Sequence, residues 1–544
     1  MMETHSRPAP RQSPLFARTR LAALLAAPMM LSACMSLAPD YQQPPLPVQD
    51  TMEHAKSSAA LSPDQQAAVR VDENNGPMNW QEFVAEPRLR ELIRQALDNN
   101  RDLRVATLAI EKARAQYGVE RSALFPSVAA TGVGNRSRTA DDLTSAGRSN
   151  TSGQYTAQLG FSSYEIDFFG RVRNLNEAAL QEFLRTGESR RSVQLSLIAE
   201  VANAWLTTDA DARRLMLARE TLRTRKEALM LTERSHELGA SNGLTLAQTR
   251  TTVDSARVDV ATFVSQLARD RNALALLVGD SVHESLLPPS IAQAAATRTE
   301  PAPLGEGQRS AERLASVQTT LPEPATSLLS VPQDLPSSVL LHRPDVQAAE
   351  HTLRGTYASI GAARAAFFPS ITLTSSIGVG SSSLSNLFDS GNGTWSFIPQ
   401  IRLPIFDAGR NRANLRISEV ARDTAVAQYE KTVQVAFREV SDALADRATL
   451  DERLDAQRSL VDATRKALEL SDARYRLGAD NYLTVLDAQR SLYTAQQTQI
   501  TLQLAEQANR ITLYKVLGGQ WTDGELERED VAASARPPAD TATD

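Results

Sequence analysis

Tyr475-Arg-Leu-Gly-Ala-Asp-Asn-Tyr-Leu-Thr-Val-Leu-Asp-Ala-Gln489 decides the architecture, because its central part occurs twice. Leu238-Gly-Ala-Ser-Asn-Gly-Leu-Thr245 repeats Leu477-Gly-Ala-Asp-Asn-Tyr-Leu-Thr484 at an offset of 239 residues. The same offset carries Gly170-Arg171 onto Gly409-Arg410, Glu200-Val201 onto Glu439-Val440, and Gly279 onto Gly518. A constant offset over separated landmarks predicts an internal two-fold repeat. On either side of each turn lie long proline-free runs of Ala, Leu, Arg and Glu. Gly239 and Gly478 suit left-handed C-terminal caps, and Asn242 or Ser241, with Asp480 or Asn481, suit the N-caps that follow. Each copy therefore reads as two antiparallel helices joined by a tight turn.

Working outward, residues 172–238 and 411–477 form two runs of 67 residues, each about 100 Å long as a helix at ~1.5 Å per residue. Such helices need others alongside, and return helices are expected over 244–278 and 483–517. A further helix is expected from Pro87 to about Leu124, stopped by Phe125-Pro126. The second half repeats this, with Arg343-Pro344 opening a helix and Phe368-Pro369 ending it. After each Phe-Pro the period changes from 3.6 to 2. Tyr155–Ser162, Ile371–Gly380 and Thr394–Leu403 alternate apolar and polar residues, and Ser127–Asn135 does so more weakly. Polar, Gly-rich stretches, Arg136–Gly153 and Ser381–Gly393, join them into two hairpins.

The N-terminus carries Arg7, Arg11, Arg18 and Arg20, then an apolar stretch from Leu21 to Leu31 that is too short for a permanent span. Leu31-Ser-Ala-Cys34 follows and resembles the bacterial lipobox. In such signals the cysteine becomes the mature N-terminus and carries the lipid, here N-acyl and S-diacylglycerol groups on Cys34. Met35 stands where an inner-membrane retention signal would place Asp. Cys34 is the single cysteine, so no disulfide forms within one chain. The chain then divides into a signal peptide (1–33), a lipidated arm (34–86) with Trp80 and Phe83 pinning its end, and repeat 1 (87–285). A Pro-, Ala-, Thr- and Ser-rich linker (286–337), with a short helix near Gly307–Val317, separates this from repeat 2 (338–519) and a tail (520–544).

Net charge is −6 with no Lys/Arg cluster, so no nucleic-acid face is expected. Aromatic residues make up only 5%, in keeping with close Ala-rich helix packing. No P-loop, Gly-x-Ser-x-Gly or His-Glu-x-x-His motif occurs, and the histidines lack ligand spacing; no catalytic residue, metal or other cofactor is expected. After the signal no stretch of about 18 apolar residues remains, so the helices are not expected to cross a bilayer.

Strands with one apolar and one polar face, about nine to eleven residues each, match transmembrane barrel strands. Lipid tolerates no open sheet edge, and four strands cannot close. Two chains would give an interior filled by side chains, whereas three leave room for water. The expected fold is an α+β membrane protein: a trimeric channel with a 12-stranded outer-membrane β-barrel, four strands per chain, on a long periplasmic α-helical barrel.

The lipobox, Asp167-Phe-Phe-Gly-Arg171, His342-Arg-Pro-Asp-Val346, Phe406-Asp-Ala-Gly-Arg410 and the turn at 477–489 together resemble the TolC/NodT outer-membrane efflux factors. The lipidated members serving resistance-nodulation-division pumps are the nearest in pattern. The resemblance covers roughly 34–520, and the linker is longer than that family's. It implies a homotrimer whose helix turns meet a periplasmic adaptor, the membrane fusion protein, which joins an inner-membrane resistance-nodulation-division transporter. Function would then be passive export of drugs or small molecules. A type I protein-secretion duct shares the architecture, and a purely structural coiled-coil lipoprotein is a further rival that the alternating strands oppose.

The same resemblance places the periplasmic gate at Leu483 and Asp487, four residues apart on one helix face. Threefold symmetry would stack a leucine ring, able to close by dewetting, on a ring of carboxylates that favours cations. Repeat 1 has Leu244 and Gln248 there, so three carboxylates are expected rather than six. Gly239, Ala240, Gly478 and Ala479 would form the adaptor-docking tips.

Overall fold

The computed structural model describes residues 36–49, 79–143, 150–296, 328 and 337–519. Thirteen α-helices and strands follow in order among these residues: α1 (Trp80–Phe83), α2 (Pro87–Asn99), α3 (Arg101–Ser122), β1 (Val128–Arg138), β2 (Thr151–Ile166), α4 (Arg171–Glu237), α5 (Gly243–Val278), α6 (Pro289–Ala296), α7 (Pro344–Ala365), β3 (Ser370–Ser381), β4 (Gly393–Arg402), α8 (Arg410–Arg476) and α9 (Tyr482–Val516). Both long helices hold 67 residues. They start one residue earlier than the sequence predicts.

One expected helix is two. The run from Pro87 breaks at Asn100, whose backbone is extended (φ −62°, ψ 133°). Its side chain explains why: Oδ1 accepts from the Leu103 amide at 2.9 Å, and Nδ2 donates to the Leu277 carbonyl at 2.9 Å. Asn100 thus caps α3 while tying the break to α5, a better use of its amide than a helix interior offers. The Gly307–Val317 helix and Cys34 lie outside the described residues, and the linker begins instead with α6.

The chain divides into two compact units. The first comprises Met1–Pro45, Ala109–Gly187 and Ala348–Glu430. It holds one antiparallel sheet in the order β1-β2-β3-β4, so the two hairpins lie side by side with β2 against β3. In register, Ala130, Leu159, Ile377 and Trp395 form one row across all four strands. Thr131, Gln158, Gly378 and Thr394 form the next, on the opposite face. β2 is longer than the alternation indicated because a bulge between Phe161 and Tyr164, with Ser163 at φ 55°, resets its register and lets pairing continue to Ile166. Past the sheet, Phe169 of the Asp-Phe-Phe-Gly-Arg motif stacks on Phe368 at 4.7 Å, and Glu165 takes both branches of Arg171 at 2.6 and 2.8 Å. The arm residues are fixed to this unit. Ser36 Oγ donates to Asn174 (2.8 Å), Arg364 to the Leu37 carbonyl (3.2 Å) and Tyr41 Oη to Glu350 (3.0 Å), with Arg354 over the Tyr41 ring.

The second unit comprises Leu46–Leu108, Glu188–Gln347 and Lys431–Asp544. Its apolar core gathers Phe83, Leu89, Leu92, Ile93, Trp205, Leu274 and Val278, with Trp205 Nε1 donating to the Leu286 carbonyl at 3.0 Å. Phe83 is buried and stacks on Tyr514 at 4.4 Å, and Trp80 packs against the same core. The expected pinning of the arm's end is therefore present. Buried Arg343 of the His-Arg-Pro-Asp-Val motif binds Asp345 (2.7 Å), Glu439 (2.8 Å) and the Val516 carbonyl (2.8 Å), holding the start of α7 to α8 and α9. No helix among the described residues is long and apolar enough to cross a membrane.

Candidate functional site

The two turns close alike. Gly239 (φ 74°) and Gly478 (φ 71°) are left-handed, with open space where a Cβ would stand, so backbone conformation alone demands glycine. The Gly239 amide donates to the His236 carbonyl and Ala240 to Ser235; Gly478 and Ala479 do the same with Tyr475 and Arg474. These bonds satisfy the last carbonyls of α4 and α8. Of the alternative N-caps, Asn242 and Asn481 are used, accepting from Thr245 (2.8 Å) and Thr484 (3.3 Å). Gly239, Ala240, Gly478 and Ala479 are all exposed, as are Leu238 and Leu477 beside them.

The turns differ in their polar braces. In the first, His236 Nδ1 meets the Ser241 carbonyl at 2.7 Å. In the second, Arg474 forks onto both oxygens of Asp480 at 2.6 and 3.0 Å. The Arg474 guanidinium holds the Asp480 carboxyl below the usual carboxylate range. Beside it Tyr482 packs on Tyr475 at 5.0 Å, and burial pushes its phenol up to about 12.

Leu483 and Asp487 lie one turn apart on α9 and are both exposed. The opposite side of α9 is occupied: Val485 and Leu492 are buried with Val461 and Leu468 of α8. That small core gives the hairpin a fixed rotation and leaves Leu483 and Asp487 on its free side. Leu244 occupies the corresponding place on α5 and is likewise exposed. Spacing alone did not draw out Arg490, whose guanidinium binds Asp487 at 2.8 Å. It extends the stripe by one more turn, although an i,i+3 acid–base pair is visible in any sequence once the helix phase is known. Among the described residues no group of three or more His, Cys, Asp or Glu is arranged to hold a metal ion.

A further surface belongs to the sheet. Leu159, Ile377 and Trp395, neighbours in one row, are respectively 52%, 66% and 79% exposed, and Phe397 on the same face is 60% exposed. An apolar sheet face of this extent, with no helix or second sheet over it among the described residues, marks a surface that meets something other than water.

The model of the family described as outer membrane efflux protein matches residues 92–280 and 335–519, which contain the sheet and both helical hairpins. This chain belongs to the outer membrane efflux protein family. Its relative named as probable efflux pump outer membrane protein TtgC of Pseudomonas putida is 44% identical over 501 residues, covering 92% of this chain and 96% of that one. The solved structure of CusC, a protein that undergoes transmembrane channel formation, is 37% identical and covers 89% of this chain and 100% of its own, with a TM-score of 0.74. The open state of the Neisseria gonorrhoeae MtrE outer membrane channel is 36% identical over 89% of this chain and 98% of its own, with a TM-score of 0.71. Efflux-family membership agrees with the resemblance drawn from the motifs.

Proposed function

We propose that this protein is the outer-membrane exit duct of a tripartite efflux pump, conducting drugs or other small molecules outward. The carrying observation is the four-stranded sheet, with one bare apolar face and two unpaired edges at β1 and β4. In lipid those edges must pair, because backbone groups left open there cost several kcal/mol each. Three copies would pair β4 of one with β1 of the next and close a twelve-stranded barrel wide enough to stay wet. Lipid would then cover the Leu159–Ile377–Trp395 face, while Thr131, Gln158 and Thr394 face the lumen. Cys34, carrying its acyl chains, would anchor each copy to the same membrane.

The tips around Gly239-Ala240 and Gly478-Ala479 then serve as the docking points for a periplasmic adaptor that joins the inner-membrane transporter. Leu483 and Asp487 form the gate. The Arg490 contact alters its electrostatics: each carboxylate brings its own cation, so the ring is closer to neutral than three free acids would be. An exposed pair of this kind contributes ~0–1 kcal/mol. The leucine ring is therefore the main barrier.

The gate is tested in a planar bilayer with the full-length protein. Leu483→Ala combined with Asp487→Ala is expected to raise basal conductance several-fold while heat stability is kept. Conductance equal to that of the parent would remove both residues from the gate. The duct itself is tested by deleting the gene in its host. Drug or solvent resistance should fall and return with the intact gene, and unchanged resistance with no adaptor crosslinked from Ala240→Cys or Ala479→Cys would oppose the reading.

A further inference from the structure

Across the first helical hairpin Arg225 of α4 donates to the Thr252 carbonyl of α5 at 2.9 Å and Arg250 of α5 binds Glu233 of α4 at 3.1 Å, an antiparallel register that sets Asp211 of α4 level with Asp270 of α5, well away from the tip. Asp211 is only 3% exposed. The Asp270 Oδ2 atom is sealed from solvent and has no donor to accept from, while its Oδ1 takes a hydrogen bond from Gln266 at 2.9 Å. A buried carboxylate oxygen without a donor is costly, and here the side chain it faces is a second carboxyl. A hydrogen bond between two carboxyls exists only when one of them carries a proton. The other neighbours leave that place unfilled. Arg214 on α4 binds Asp211 at 2.5 Å and reaches Thr501 of α9 at 3.0 Å. Arg213 is engaged by Asp209 and by Gln503 of α9. On α5, Arg269 donates to Gln266, and Arg271 reaches toward Glu284.

We infer that Asp211 and Asp270 share a single proton and act as an acid-closed latch between the two helices of the first hairpin. Burial, and then the bond to Asp211, push the Asp270 carboxyl up to about 6, with Gln266 and Arg269 opposing. A carboxyl raised in the folded state holds its proton more tightly when the hairpin is closed. Its contribution is complete in acid, below the ordinary carboxylate range, and is lost as pH rises through about 6. Above that point two like charges face each other across α4 and α5, and the hairpin slackens. Nothing equivalent joins the second hairpin at this height: offset by the repeat, Asp211 falls on Leu450 and Asp270 on Asn509. The latch would let the medium's pH adjust one hairpin of each repeat pair without touching the other.

Hydrogen–deuterium exchange on the full-length protein in detergent tests this, following peptides over 205–215 and 265–275 with intrinsic rates corrected. Protection is expected to fall about tenfold between about pH 5 and about pH 8. Asp270→Asn, which keeps the shape and donates without a proton to lose, should hold protection at one level across that range. Equal protection of the parent at both pH values would overturn the latch, and so would an undiminished pH dependence in Asp270→Asn. Should that variant not fold, the parent's two profiles still decide, with peptides from α8 and α9 as the internal reference that must not change.

Discussion

At Gly361 a methyl group would stand 2.5 Å from Asn174 Nδ2 and 2.7 Å from the Ala38 amide nitrogen. Glycine there leaves room for the N-terminal arm to lie on α7, where Leu37 and Tyr41 make their bonds, beside Asn174 of α4, which Ser36 binds. Gly361→Val is expected to lift residues 36–43 off that surface. The cost should be about 1–3 kcal/mol of stability, as for other overpacked sites. Thermal unfolding would register it, and new protease cleavage beside Tyr41 would locate it; an unchanged melting temperature with an intact arm would mean that the backbone simply yields. Nothing in the sequence singles out Gly361, since its requirement comes from a segment more than 300 residues earlier. Gly239 and Gly478 were readable because their reason is local, a left-handed turn between two helical runs. Arg490 stood in plain view at helical spacing from Asp487, but a pairing only acquires meaning once the free side of α9 is known.

Among the elements, the two hairpin tips are alike in backbone and unlike in charge. Because Arg474 keeps the Asp480 carboxyl below its usual range, the ion pair is intact above that range and is lost as pH falls through the lowered value. Amides over 475–484 should therefore exchange faster once the pH falls below the ordinary carboxylate range, while those over 236–245, where no carboxylate braces the turn, should not follow. Equal response at both tips would contradict this. The sheet carries a second element-scale expectation. A Cβ at Gly160 would strike the Ser375 carbonyl, and one at Gly378 the Ala157 carbonyl, both on the polar face. Gly132, on the apolar face, has open space. The strands thus crowd together on the polar side, as in a sheet curved toward it. Gly378→Val should disrupt β2–β3 pairing and abolish the folded, heat-stable form on a gel, whereas Gly132→Val should be tolerated; the reverse order would refute the curvature. Element types and their order were legible from periodicity and Phe-Pro stops. The Asn100 break and the β2 bulge were not, because each depends on a partner brought in by the fold: Leu277 for the first and β3 for the second.

At the scale of the molecule, the sheet of one chain has bare edges at β1 and β4 and an apolar face with large exposed side chains. In a monomer the bare edges are not stable in lipid, and the apolar face is not stable in water. The sequence allowed this to be argued from strand count alone, since four strands cannot enclose a lumen. How many copies close the ring is a matter of interior volume. Eight strands would fill with side chains and twelve would leave a channel, so the proposed duct calls for the larger number. Native mass spectrometry of the full-length protein released from detergent measures that number directly. A predominant species of three chains, persisting when the detergent is exchanged, is the predicted result; a stable single chain or a closed pair would contradict the channel.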